Sequence, residues 1–379
     1  MLLRLLTPLL VLALSACGSD SAPPPADPGR PFYMGFTPWP YDATVEAVDT
    51  TYARIQQHGD IIDHQLMQGI PWEAAYNQTP YPASVEGDIQ SRLAQTLPGT
   101  AVFLAIDSLN ALRTGLAGDW TDSGEQPRTA PWDGRDFDSP EVITAYTNFA
   151  LDMIARFRPV YFNYATEASE LILLKDQNQN PDPATFNRFK VFAEAVYTNI
   201  KQAYPDLKLT VSLAMKTPGS DEMALIQQQI AAILPYVDVI GVSVYPYVFY
   251  NHAGREDPAR LPANWLSQIE QVAPGKPVVI TETGWIAERL QIASYGIDID
   301  ASQDSQRLYT EILLAESERL NVEFVIWWSL IDFQALWENA LGSDDLAAIW
   351  RDTGLYDEQL QARSALGVWD STLQRPRQP

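Results

Sequence analysis

From residue 32 onward, apolar runs of strand length alternate with amphipathic stretches. Eight runs stand out, at 32–37, 61–66, 101–107, 160–166, 209–214, 239–245, 278–282 and 324–329, each dominated by aliphatic and aromatic residues. Such runs read as strands buried on both faces, the environment of a parallel sheet covered by helices. Between them the period changes. Val45, Val48, Tyr52 and Ile55 fall on one helical stripe, with Asp42 placed to cap its start. Phe186, Phe189, Phe192 and Val196 make a second stripe, and Leu308, Ile312 and Ala315 a third ahead of the last strand. Strand–helix alternation implies parallel pairing through right-handed crossovers. Eight such units close into an α/β fold of the (β/α)8 TIM-barrel type. An open doubly wound sheet is the competing arrangement, but the Gly-rich phosphate-binding turn that marks it is not found in this sequence.

The first 30 residues break the pattern. Arg4 precedes an apolar stretch, 5–14, that is too short to span a bilayer as a stable helix and reads as the core of a signal peptide. Leu14-Ser15-Ala16-Cys17 resembles the lipobox of bacterial lipoproteins, which implies that Cys17 is lipidated and begins the mature chain. Cys17 is the only cysteine, so a disulfide framework is excluded. Gly18 and Ser19, in place of an inner-membrane retention Asp, point to the outer membrane or cell surface of a bacterium. Pro23, Pro24, Pro25 and Pro28 mark a disordered tether. The expected organisation is a signal peptide over 1–17, a tether over 18–30 and one barrel domain over 31–379.

Composition narrows the function. With 46% hydrophobic residues and 11 Trp, the chain can bury a large core. A formal charge of -23 argues against nucleic acid or anionic lipid surfaces as partners, since both recruit basic patches. Three His and one Cys argue against a zinc site. No metal or organic cofactor is implied, and a monomer is expected.

The richest segment for chemistry is 277–285, where Val278, Val279 and Ile280 deliver Glu282 to the C-terminal end of the seventh strand. Active sites of parallel barrels sit at that end. Glu167 closes the fourth run in the same way. A retaining glycosidase needs two carboxyl groups about 5–5.5 Å apart, one as nucleophile and one as acid/base. Strand ends four and seven face each other across a barrel mouth, so that spacing is accessible.

The chain here resembles the retaining clan A glycoside hydrolases, the 4/7 superfamily. It is similar to the endo-β-1,4-galactanase branch and related endo-β-glycanases. The resemblance runs over about residues 31–335 and rests on Gly35-Phe36-Thr37-Pro38-Trp39, Ala165-Thr166-Glu167, Val244-Tyr245-Pro246, Thr281-Glu282-Thr283-Gly284-Trp285 and Trp327-Trp328. It implies Glu282 as nucleophile, Glu167 as acid/base, Tyr245 as hydrogen-bond donor to the nucleophile, and a β-linked polysaccharide or oligosaccharide as substrate. One position departs from the clan. Thr166 stands where an Asn usually precedes the acid/base and contacts the sugar 2-hydroxyl. Asn163 lies three residues upstream, too far to take over that contact, and Glu170 is the competing acid/base.

Further substrate contacts are expected at the strand ends. Trp328 shares a face with Phe324 and Ile326, while Trp327 points the other way. One of the two is expected to floor a sugar subsite, since an indole matches the apolar face of a sugar ring. Trp39, Trp72 and Trp285 are further platforms, and His64 and Asp107 are candidate hydrogen-bonding groups. Lys216 follows the fifth strand and reaches either a sugar hydroxyl or Asp221. The loops after strands two and three, with Trp72, Tyr76, Tyr81, Trp120 and Trp132, are expected to build the cleft. Thr166 also motivates a second reading, a non-catalytic carbohydrate-binding surface lipoprotein on the same barrel.

Overall fold

The structure, a computed structural model, describes residues 29–378. The signal peptide, the lipobox with Cys17 and most of the tether lie outside the described residues.

A (β/α)8 barrel is what the chain forms. Strands one to four are Tyr33–Phe36, Ile61–Leu66, Ala101–Ile106 and Tyr161–Asn163. Strands six to eight are Ile240–Val244, Val278–Thr283 and Phe324–Trp327. Strand five comes in two pieces that meet at Val211. Lys208–Thr210 pairs with strand four, and Ser212–Ala214 pairs with strand six. That change of partner closes the ring, and neighbouring barrel strands all pair in parallel.

The side chains separate into two cores by strand alternation. Ile61, Phe103, Ala105, Tyr161, Val239, Val279, Phe324 and Ile326 fill the barrel interior. The opposite faces pack beneath the helices in a larger cluster. Gly35 is where strand one passes strand two most tightly. A Cβ there would lie 1.9 Å from the Ile61 carbonyl oxygen, so a side chain has no room.

Two helical faces differ from the sequence pattern. The first helix, Val45–His58, is capped by Thr44, whose side chain accepts from the Ala47 amide, while Asp42 accepts from its neighbour Ala43. Val45 is 78% exposed because N1 of this helix precedes the buried stripe formed by Ala47, Tyr52 and Ile55. In Gln303–Arg319 the inward face carries Tyr309 and Leu313, with Gln306, Thr310 and Ser317, and Ala315 is exposed. The stripe is displaced because those polar groups are satisfied internally. Thr310 and Ser317 donate to the carbonyls of Gln306 and Leu313 one turn back. The stripe of Phe186, Phe189, Phe192 and Val196 is buried within Ala184–Ala203.

The last helix, Ser364–Leu373, completes the outer layer. Its Trp369 indole donates to the His58 carbonyl and packs against Phe36 and Trp327. Arg30 pairs with Asp60, just before strand two, and its amide donates to Pro376. Both ends of the described chain therefore meet at the N-terminal face of the barrel, opposite the mouth.

Candidate active site

Strict alternation from the inward Val279 would turn Glu282 out of the barrel. A β-bulge prevents this. Ile280 pairs with Val242 on strand six, but the next pair is Glu282 with Ser243, so an extra residue of strand seven is absorbed at Thr281. The pairing with strand eight shows the same interruption. A bulge re-aims the side chains that follow it. Glu282 is thereby brought onto the inner face beside Ser243.

Glu167 arrives by a different device. Strand four ends at Asn163, three residues earlier than the apolar run, and the chain then bends sharply. Glu167 has φ 56 and ψ 39, a left-handed conformation that is costly for a residue with a side chain. Its amide donates to Ser212 Oγ over 2.9 Å, which fixes the bend to strand five.

One hydroxyl links the two carboxyls. Ser243 Oγ lies 2.8 Å from Glu167 Oε1 and 3.5 Å from Glu282 Oε2. The Tyr245 hydroxyl donates to Glu282 Oε2 over 3.5 Å, and Gln65 Nε2 donates to Glu282 Oε1 over 3.1 Å. Gln65 Nε2 also approaches Thr166 Oγ1, which accepts from Asn163 as well. Arg113 comes from the loop after strand three. Its Nε is 3.3 Å from Glu167 Oε2, and its other end pairs with Asp107.

The electrostatics are uneven. Burial pushes Glu282 up to about 8, and the neighbouring charge of Glu167 adds to this, while Arg113 and the Gln65 hydrogen bond oppose it. Asp63 lies lower in the barrel, accepts from Thr37 Oγ1, and is pushed up to about 7 by burial. Burial raises Asp107 to about 6 against the pull of Arg113. The site thus gathers several carboxyls around one guanidinium.

Comparison with protein-family models finds no match, and no curated protein matches. Solved structures do match. An exo-β-1,4-mannosidase from Opitutaceae bacterium strain TAV5 superposes with a TM-score of 0.60 at 14% identity, over 92% of this chain and 60% of that one. β-Glucuronidase 2 of Bacteroides uniformis gives 0.54 at 13%, over 90% of this chain and 35% of that one. The GH53 catalytic domain of Ignisphaera aggregans gives 0.50 at 14%, over 82% and 83%. The chain has the barrel fold of glycoside hydrolases. It spans about three fifths of the mannosidase and about a third of the glucuronidase.

Within this barrel the sequence candidates separate sharply. Trp328 faces the mouth beside Trp39, with ring centroids 5.4 Å apart. Trp327 points outward, fully buried against Tyr309 and Trp369, and its indole donates to the Thr353 carbonyl. Trp285 is likewise buried, between Tyr247 and Tyr309. Trp72 is closed off by Trp132 and donates to the Gly118 carbonyl. None of these three offers a face to a sugar. Trp72, Tyr76, Tyr81, Trp120 and Trp132 of the loops after strands two and three pack on one another and on Phe149, so these aromatics form a local core in place of a cleft wall.

His64 is also displaced from the mouth. It sits on the outer face of strand two, bonded to Thr96 Oγ1 and packed on Phe157, and burial holds its imidazole neutral. Its neighbour Gln65 holds the inner position. Asp107 accepts from the Leu109 and Thr166 amides and from Arg113, so it organises the loop and the guanidinium. Thr166 is buried beneath Gln65. Lys216 pairs with Glu170 at 2.7 Å, which accounts for both residues away from the Glu167–Glu282 pair.

Ser243, Gln65 and Arg113 were not among the sequence candidates. Ser243 lies two residues before Tyr245 and shares its face by strand period, a usable signal. Gln65 needed the register of strand two. Arg113 lies in an irregular loop with φ 57, where no periodicity operates.

Proposed function

We propose that this protein is a retaining glycoside hydrolase acting on a β-linked polysaccharide by double displacement. The observation that carries the reading is the pair Glu167 and Glu282, delivered by strands four and seven and bridged by a single hydroxyl. One oxygen of each acid lies within 2.8 and 3.5 Å of the same hydroxyl, which is compatible with the retaining spacing of about 5–5.5 Å. Trp328 and Trp39 supply an aromatic floor next to it.

In the proposed cycle Glu282, ionised, attacks the anomeric carbon, and Glu167 protonates the departing oxygen. Glu167 then activates the water that releases the sugar. Burial favours a protonated Glu282, and Arg113 Nε lies 3.3 Å from Glu167. Ser243 touches both acids, so it can donate to one carboxyl while accepting from the other. Such a bridge lets the proton pass from Glu282 to Glu167 when a sugar displaces Arg113, leaving the nucleophile charged.

The binding-protein reading draws on Thr166 and on the Arg113–Glu167 contact. A 2-deoxy-2-fluoro glycosyl inhibitor with mass spectrometry separates the two, since only a live nucleophile is labelled, and Glu282 is the expected site. Among variants, Glu282→Gln should lose nearly all turnover with the fold intact. Glu167→Ala should lose polysaccharide cleavage but keep some aryl glycoside activity, with azide restoring turnover as a β-glycosyl azide. If Glu170→Ala gives that pattern instead, the acid/base is Glu170. A screen of β-linked polysaccharides with product analysis identifies the glycan and distinguishes endo from exo action.

Export and lipidation at Cys17 complete the proposal. The chain enters the barrel at the face opposite the mouth. An anchor there would turn the cleft away from the membrane.

A further inference from the structure

A cavity of about 490 Å³ lies at the ends of strands one and two, with Gln65 on its wall. Its size falls within the range of small-molecule sites. The walls are mixed. Trp39, Met67, Leu336 and Leu341 give apolar faces, and Gln65 and Gln68 give amides. Gln65 ties the cavity to the chemistry, since its amide nitrogen donates to Glu282 and its oxygen is free.

Two lining residues carry buried polar atoms that lack hydrogen-bond partners, Gln65 Oε1 and Trp39 Nε1, and so does Trp328 Nε1 of the indole packed on Trp39. Gln65 and Trp328 are only 5% and 8% exposed, so leaving these atoms unpaired is costly. One acceptor and two indole donors suit sugar hydroxyls, which both donate and accept. The charges are also informative. Asp88 lies on the cavity wall, and Arg92, the cation on that wall, is paired with it at 2.8 Å. A carboxylated sugar would find no unpaired cation on that wall.

We infer that this cavity is a glycone subsite for neutral sugars, holding at least one residue beyond the one attacked by Glu282. The inference rests on the retaining-hydrolase reading for its orientation. Glu282 faces the anomeric carbon of the retained sugar, so a cavity whose wall residue Gln65 bonds Glu282 receives the non-reducing side of the chain. An indole and aliphatic wall on one side and amides on the other provide stacking and hydroxyl contacts.

Two measurements test it, one without turnover. Intrinsic tryptophan fluorescence is titrated with cellotetraose, mannotetraose and β-1,4-galactotetraose, and with a hyaluronan tetrasaccharide as the uronate-bearing probe. At least one neutral probe should change the emission with an affinity tenfold or more above that of the hyaluronan fragment. Leu341→Trp, which fills the cavity, should weaken that binding at least tenfold, and Gln68→Ala should weaken it severalfold should the first variant fail to fold. Equal binding of the uronate fragment, no binding of any neutral probe, or neutral binding unchanged in both variants overturns the inference. In the second measurement, Leu341→Trp should lower kcat/KM for the preferred oligosaccharide, relative to the matching aryl monoglycoside, at least tenfold. An unchanged ratio overturns the subsite. Neutral binding that is lost in Leu341→Trp, without hydrolysis of any glycoside, sinks the hydrolase reading and leaves the pocket supported.

Discussion

Glu282, the nucleophile of the proposed function, is also a destabilising group. In an unfolded chain its carboxyl ionises near pH 4.3. In the fold, burial and Glu167 push it up to about 8. Between those values the unfolded chain has released a proton that the native one retains, so stability falls as pH rises through this window. Asp63, pushed up to about 7, acts with the same sign. Glu282→Gln should therefore raise the thermal midpoint at pH 8 by about 2 °C or more, and much less at pH 5. Equal midpoint shifts at the two pH values would sink this account. Ser243 is a positioning residue for the same pair. Ser243→Ala should lower kcat by about tenfold or more, shift the alkaline limb of the pH profile and leave KM nearly constant. Ser243→Thr, which keeps a hydroxyl, should restore part of the rate. A profile unmoved in Ser243→Ala would remove the serine from proton handling.

At the level of elements, the barrel depends on close approach between strands and on one irregularity. Gly35 sits where a Cβ would overlap the Ile61 carbonyl. Relieving that overlap means separating strands one and two, and overpacking of this kind costs about 1–3 kcal/mol or more. Gly35→Ala should lower stability by at least that much in denaturant titration, and Gly87→Ala, with nothing within 4 Å of its Cβ, should not. Similar loss in both variants would mean that the backbone approach is not the cause. The bulge at Thr281 is the irregularity. Thr281 Oγ1 donates to the Val242 carbonyl and Thr283 Oγ1 to the Val244 carbonyl, so side chains anchor the strand where its ladder is interrupted.

The molecule as a whole places the two ends of the described chain on one face and the mouth on the other. Its charge of -23 favours neutral over anionic glycans before any contact forms. If Cys17 carries the lipid, Cys17→Ser should move the protein from the membrane fraction to the soluble one. An unchanged membrane fraction would reject the anchor.

The sequence by itself determined the fold class, because eight buried apolar runs separated by amphipathic helices have few ways to pair and close. It also placed both glutamates at the ends of apolar runs, on the C-terminal side of the barrel. It held less about neighbours. Period two distinguished Trp328 from Trp327, yet it could not say that His64 faces the helices and Gln65 the mouth, because every residue of that strand is buried. Trp72 and Trp285 carry the composition of sugar platforms and are consumed by local packing. The bulge that turns Glu282 inward, the left-handed bend at Glu167, and the arrival of Arg113 from an irregular loop were decided by tertiary structure. Each depends on contacts between residues distant in sequence, and no local pattern records them.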